Sequence, residues 1–291
     1  MTTQARRSAG IAERLVKATN RGVVHIVLVG LGLMWLVPTL GLFVTSLRTR
    51  PDIAASGWWI ALFQFRYTVG NYLEVLEARN FGGGFINSFI ISIPSTIFPI
   101  VIGAFAAYAL AWLKFRGRDV LFLAVIAMLV VPLQTTWVPV LQMFNLFNLT
   151  GTYPGIWLAH TAYGLPFAIF LLRNFFVGLP KELFDSAKID GASDLGIFFR
   201  IVVPLSVPAI ASLAIFQFTW VWNDLMNALI FLQDPAKYPL TRSIQNLLGQ
   251  FGSEWHLLAA GAFVTMSMPL LVFFSLQRYF VRGITAGAVK G

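Results

Sequence analysis

Five side chains able to hydrogen-bond or stack, Trp220, Trp222, Asn223, Asp224 and Asn227, crowd into one short stretch of an otherwise apolar segment. A carboxylate and amides in such surroundings must be held by hydrogen bonds, because an unpaired polar group there is costly. Two chemistries suit them: lining or gating a polar route, or bridging neighbouring helices. On one continuous helix, Asn223 and Asn227 stand four residues apart and share a face. The two tryptophans stack on a solute or sit in an aromatic belt against lipid. Gln134 and Thr135, just after Pro132, are candidates of the same kind. Of His25, His160 and His256, only His160 lies well inside an apolar run, as a structural hydrogen-bonding group or a further point on the route.

Other chemistries lack their residues. The chain has no cysteine, which removes disulfides, thiol catalysis and Cys-based zinc or iron–sulfur sites. The scattered histidines form no metal-ligand set, so no metal site is expected. Gly82-Gly83-Gly84 lacks the Lys of a phosphate-cradling loop and reads as a flexible break before a helix. The chain does not cradle nucleotide phosphates by that device. No nucleophile–base pair or carboxylate pair occurs at depth, so an enzyme is not expected.

A second stretch, residues 178–204, is rich in charge and small residues. It contains Pro180-Lys-Glu182-Leu-Phe-Asp185-Ser186-Ala187-Lys-Ile-Asp190-Gly191-Ala-Ser193-Asp194 and closes on Arg200-Ile201-Val-Val-Pro204. Pro180 at a first helical position with Glu182 in the first turn predicts a helix start. Gly191 predicts its stop, and Ser193 or Asp194 caps a second helix. The small residues Ser186, Ala187 and Gly191 leave room for another surface to approach. A docking face and a merely solvated amphipathic loop both fit that pattern.

Long apolar runs must position both stretches. The chain has 291 residues, 57% hydrophobic and 11% charged, against roughly 25% charged in an ordinary globular protein. An uncharged apolar run of about 18 residues or more reads as a membrane-spanning helix. Runs at 25–47, 85–114, 120–144, 154–176, 204–232 and 257–277 give an all-α integral membrane protein with six spans. The first run is longer than a signal-peptide core of ~7–15 residues and ends in Thr45-Ser46-Leu47-Arg48, so it is kept as a span. Residues 1–24 form a basic segment, and 25–291 a single transmembrane domain that includes the 178–204 loop.

The net charge of +9 sits at the ends of the apolar runs, which argues against nucleic acid as its cause. Fifteen of the 21 Lys and Arg fall in the N-terminal segment, the 114–118 loop, the 173–200 loop and the tail. Positive charge stays cytoplasmic, so the protein is expected in a cell membrane with both termini on the cytoplasmic side. Trp137, Trp157 and Trp255 then fall at outer helix ends and Trp112 at an inner one, as an aromatic belt predicts.

The 178–204 loop closely resembles the EAA loop of ABC importer permeases: Glu-Ala-Ala, three residues, Gly, nine residues, then Ile-x-Leu-Pro. Asp185-Ser186-Ala187 takes the Glu-Ala-Ala place, Gly191 follows after three residues, and Ile201-Val202-Val203-Pro204 after nine more. Asp for Glu, Ser for Ala and Val for Leu are mild departures. Trp222-Asn223-Asp224, the terminal Gly283–Gly291 stretch and Asn87-Ser88 resemble maltose-type carbohydrate permeases, in particular the shorter, six-helix partner of that heterodimer. Phe216–Asp224 and Phe273–Arg282 look closest to α-glucoside permeases.

This resemblance implies a heterodimer with a second permease subunit, two ATP-binding cassette ATPases that carry ATP and Mg, and an extracytoplasmic sugar-binding protein. No cofactor is implied on this chain. Glu182, Asp185, Ser186, Ala187, Asp190, Gly191, Ile201 and Pro204 would form the ATPase-coupling loop. Ala286, Gly287, Lys290 and Gly291 would reach toward the ATPases, and the outer loop 245–255 toward the binding protein. Asn87, Gln134, Trp220, Trp222, Asn223, Asp224 and Asn227 would lie on the sugar path. Two alternatives stay open: an ABC importer of a non-sugar solute, and an ATP-independent secondary transporter with Asp224 as its ion site.

Overall fold

The computed structural model describes residues 3–78, 81–250 and 254–288, and side chains for 22–77, 81–247 and 254–278. Lys290 and Gly291 lie outside the described residues, among which every regular element is helical. By internal contacts the chain divides into two units, residues 1–72 with 254–260, and residues 73–253 with 261–291.

In the first unit, α1 (Thr3–Ser46) is followed by the short helices α2 (Arg50–Ala55) and α3 (Trp58–Gln64). Every side chain from 22 to 40 is exposed. Arg48, named above only as the end of the first run, is buried. Its guanidinium donates to Asp52 O at 2.6 Å, Ser56 O at 3.0 Å and Ser56 Oγ at 2.6 Å. Asn71 Nδ2 donates to Ser46 O and Arg48 O at 2.8 and 2.9 Å, which fixes the turn after α1.

After α4 (Gly70–Ala78), the second unit is built around α5 (Phe81–Trp112) and α8 (Tyr153–Val177). A Cβ on Gly103 would stand 2.9 Å from that of Ala168. This small-residue contact lets the two backbones approach closely, as interfaces between membrane helices favour. Between them run α6 (Arg118–Val130) and α7 (Leu133–Leu146). Next come α9 (Lys181–Ile189) and α10 (Asp194–Ile197), then a π-turn at Phe198–Val202 and α11 (Val203–Leu205). The unit continues through α12 (Val207–Trp222), α13 (Met226–Phe231), a 3-10 turn at Pro235–Lys237 and α14 (Leu240–Gln250). The last helix, α15, covers Trp255–Ala288.

Among the described residues, four single helices are long and apolar enough to cross a membrane: Gly22–Ser46, Phe81–Trp112, Tyr153–Val177 and Trp255–Arg278. Two bent pairs, α6 with α7 at 102° and residues 194–205 with α12 at 74°, bring the number to six if each is one span.

Four expectations need correction. The third run is not one helix: Pro132 has no N–H to donate and pushes Val131 to φ −70°, ψ 120°. The fifth is broken between Trp222 and Met226, which puts Asp224 at a helix break rather than inside a helix. Gly82-Gly83-Gly84 lie inside α5 and not in a flexible break. There a Cβ on Gly84 would come within 2.9 Å of Ser243 Oγ, so the glycine serves close packing. Residues 245–250 belong to α14 and are helical, not loop.

Candidate functional site

The 178–204 segment forms the expected helix, bend and helix. Pro180 takes the N-cap of α9, one place before the expected first helical position, and Glu182 sits in the first turn. Gly191 ends the helix with φ +78°, a conformation an L side chain adopts at a cost of ~1–2 kcal/mol. Its N–H bonds Lys188 O at 3.1 Å, and that of Ala192 bonds Ala187 O at 2.9 Å. Ser193 Oγ accepts from Gly196 N at 3.2 Å and caps the second helix.

Apolar side chains press this loop onto the bundle. Phe184 is buried and stacks on Trp112, ring centroids 3.6 Å apart. Trp112 Nε1 in turn donates to Phe176 O at 3.0 Å. Ile197, Phe198 and Val202 join Ala104, Ala107, Tyr108, Ala168 and Leu172 in one buried cluster. Outward stand Glu182, Asp185, Ser186, Asp190, Gly191 and Pro204, all exposed, while Ala187 and Ile201 are half-buried. Ile189, Leu195 and Phe199 are exposed apolar residues of the same segment. The ion pairs Lys181–Asp185 (3.8 Å) and Lys188–Asp194 (3.9 Å) are solvated and add little to stability.

The polar residues expected along a route divide into two groups. Asn87 Nδ2 donates to Ala236 O and Tyr238 O at 2.8 and 3.0 Å, and its Oδ1 accepts from Tyr153 at 2.7 Å. Trp222 is fully buried, donates to Thr265 O at 2.9 Å and stacks on Phe218. Asn227 Oδ1 accepts from Trp137 Nε1 at 3.1 Å. Asp224 Oδ2 accepts from Asn227 N at 2.9 Å and lies 3.9 Å from His160 Nε2. The buried His160 Nδ1 has no hydrogen-bond partner among the described residues. By contrast Gln134, Trp220 and Asn223 are exposed.

Asn223 and Asn227 do not share a face, because the break between α12 and α13 separates them. Three of the tryptophans expected in a belt also hold internal partners: Trp137 Nε1 donates to Asn227 Oδ1, Trp157 Nε1 to Ile90 O at 2.8 Å, and Trp112 Nε1 to Phe176 O. Trp255 is exposed. Sequence reasoning passed over Phe184, although an aromatic on the apolar face of an otherwise polar amphipathic helix was its signal. Ala286 and Gly287 fall in the last turns of α15.

Bent apolar spans joined by an exposed, tightly anchored helical loop are the architecture of a transporter's membrane subunit. Residues 99–286 match the family described as binding-protein-dependent transport system inner membrane component, and the chain belongs to that family. It is a permease subunit of an ABC importer, a class in which the ATPase is a separate subunit.

Among its relatives is the osmoprotective compounds uptake permease protein GgtD of Synechocystis sp., 52% identical over 92% of this chain and 91% of that protein. The alpha-glucoside transport system permease protein AglG of Rhizobium meliloti is 40% identical over 92% of this chain and 97% of that protein. In fold the chain is similar to a chain of a bacterial ABC transporter involved in the import of the acidic polysaccharide alginate. That match has TM-score 0.72 at 22% identity, over 91% of this chain and 98% of that one. The resemblance carried by the loop motif and by Trp222-Asn223-Asp224 therefore holds at the level of the family.

Proposed function

We propose that this chain is the shorter membrane subunit of an ATP-driven importer for α-glucosides or other neutral di- and oligosaccharides. It pairs with a second permease subunit, two ATPases and an extracytoplasmic sugar-binding protein, with both its termini cytoplasmic. One observation carries the coupling: the exposed acidic and small face of α9 is backed by the Phe184–Trp112 stack. A push on that face by a closing ATPase pair is delivered to α5 and, through Ile197 and Phe198, to the cluster shared with α8 and α12. Rigid-body switching between inward- and outward-facing states follows when the partner contacts the two states differently. Asn87, Trp222, Asp224 and Asn227 hold the wall of the route, while Gln134, Trp220 and Asn223 face it. Residues 286–291 extend toward the ATPases. The name of the α-glucoside relative supports the sugar.

A second reading is an importer of osmoprotective compounds, favoured by the name of the relative at 52% identity. Reconstitution with the companion permease, the ATPase and the binding protein tests both. ATP hydrolysis stimulated by binding protein loaded with maltose or trehalose supports the first. Uptake driven by an ion gradient without any ATPase would overturn both.

A further inference from the structure

The break between α6 and α7 opens a cavity of about 580 Å³ between α6, α7, α8 and α12. That lies within the ~300–1,000 Å³ common for small-molecule sites. Met128, Leu129, Val131 and Leu133 on either side of the break line it. Within a membrane, backbone that leaves its helix is tolerated only against protein or a water-filled cavity, because hydrocarbon satisfies no carbonyl. Four side chains bring polar chemistry to the same space: Thr136, Tyr163, Gln217 and Trp220. Thr136 Oγ1 donates its proton to Leu133 O at 2.6 Å and stands 3.1 Å from the Tyr163 hydroxyl, so this pair offers its lone pairs to a third, donating hydroxyl. Gln217 is buried and commits Nε2 to Ser95 O at 3.1 Å. Gly164 makes room for it, since a Cβ there would lie 2.5 Å from that nitrogen. Trp220 keeps 38% of its surface exposed beside Phe216 and Phe167, which meet edge to face. No charged side chain occurs among the described lining residues. An ionic solute would therefore enter an apolar space without a counter-charge.

We propose that this cavity is a transport subsite for a neutral glycoside, one ring lying against Trp220 with its hydroxyls bonded to Tyr163, Thr136 and Gln217. This rests on the sugar-importer reading and assigns part of the solute path to this subunit itself. It places solute contact at α7, α8 and α12 rather than on Asp224 and Asn227, whose polar atoms are engaged in internal contacts.

The absence of cysteine provides the test. Thr136→Cys and Tyr163→Cys are introduced singly and assembled with cysteine-free partners in proteoliposomes. A membrane-impermeant maleimide should label both. Labelling should slow about fivefold or more with whichever of maltose, trehalose and melibiose the wild-type transporter takes up. In parallel, Trp220→Ala should raise the KM for uptake about tenfold, and Trp220→Tyr should restore most of it. Absent labelling means lipid or a partner helix fills the space and overturns the proposal. Labelling indifferent to a sugar that the wild type transports, or an unchanged KM in Trp220→Ala, also overturns it and leaves the importer reading intact. If the wild type takes up none of the three sugars while its ATPase responds to a solute that is not a sugar, the sugar reading falls and takes the subsite with it.

Discussion

Residues 178–204 and residues 223–241 are both polar interruptions of an apolar bundle, built on opposite plans. In the first, hydrogen bonds join near neighbours: Gly191 to Lys188, Ala192 to Ala187, and Gly196 to Ser193. Glu182, Asp185 and Asp190 remain exposed. In the second, the partners are distant. Asn87 reaches Ala236 and Tyr238, Trp137 reaches Asn227, Ser88 accepts from Leu240 N, and Lys237 Nζ donates to Gly151 O. A segment satisfied by its own neighbours leaves its surface for a foreign partner. One satisfied from across the fold spends its polar groups on holding position, so its polarity alone does not mark a ligand site.

That contrast can be broken at its strongest point by Gly191→Arg. The added Cβ meets nothing within 4 Å, but φ +78° forces a strained side chain into a face of carboxylates. Uptake is expected to fall to background while the protein remains in the membrane fraction at normal levels, measured by cell uptake and immunoblot. Near-normal transport would remove the docking role of the loop.

Next in size is Asn87→Ala, which leaves two carbonyls and the Tyr153 hydroxyl without their partner. Losing buried hydrogen bonds of this kind costs about 2–3 kcal/mol, so the melting temperature of the purified complex should drop clearly. An unchanged melt with weakened sugar transport would turn Asn87 from a wall residue into a path residue. Ser193→Ala removes an N-cap worth ~1 kcal/mol. Faster amide exchange confined to residues 194–197 is the expected signature, and spread into 223–241 would show that the two regions are not independent. The smallest effect on stability belongs to Asp185→Ala, whose ion pair with Lys181 is solvated. Its melt should match wild type while co-purification of the ATPase declines; undiminished co-purification would deny that carboxylate a docking part.

Much of the first region is legible in the amino-acid sequence because its determinants are local. A proline, an early acid, a glycine stop and a hydroxyl cap act within a few residues of where they stand. The second region is opaque for the converse reason. Nothing near Asn87 announces that its amide will meet carbonyls some 150 positions later. Hydropathy alone also hides the breaks at Pro132 and at residues 223–225, since both halves of each pair stay apolar. A proline within an apolar run was the available signal at the first. At the second, Asp224 accepting from Asn227 N becomes visible only once the helix is known to stop. The tight packing of Gly84 against Ser243 likewise cannot be told from flexibility without the opposing element.

The exposed stretch from 22 to 40 in α1 bears on biogenesis. Its side chains, His25 and Thr39 apart, are apolar, so this segment is expected to enter the bilayer as soon as it leaves the ribosome and persist there as a stable intermediate. The helix at Tyr153–Val177 differs, since His160 and Thr161 are buried only once neighbouring helices have closed around it. A nascent chain halted after residue 47 should therefore resist alkaline extraction from membranes. One halted soon after residue 177 should still be sensitive to quality-control proteases until α12 arrives.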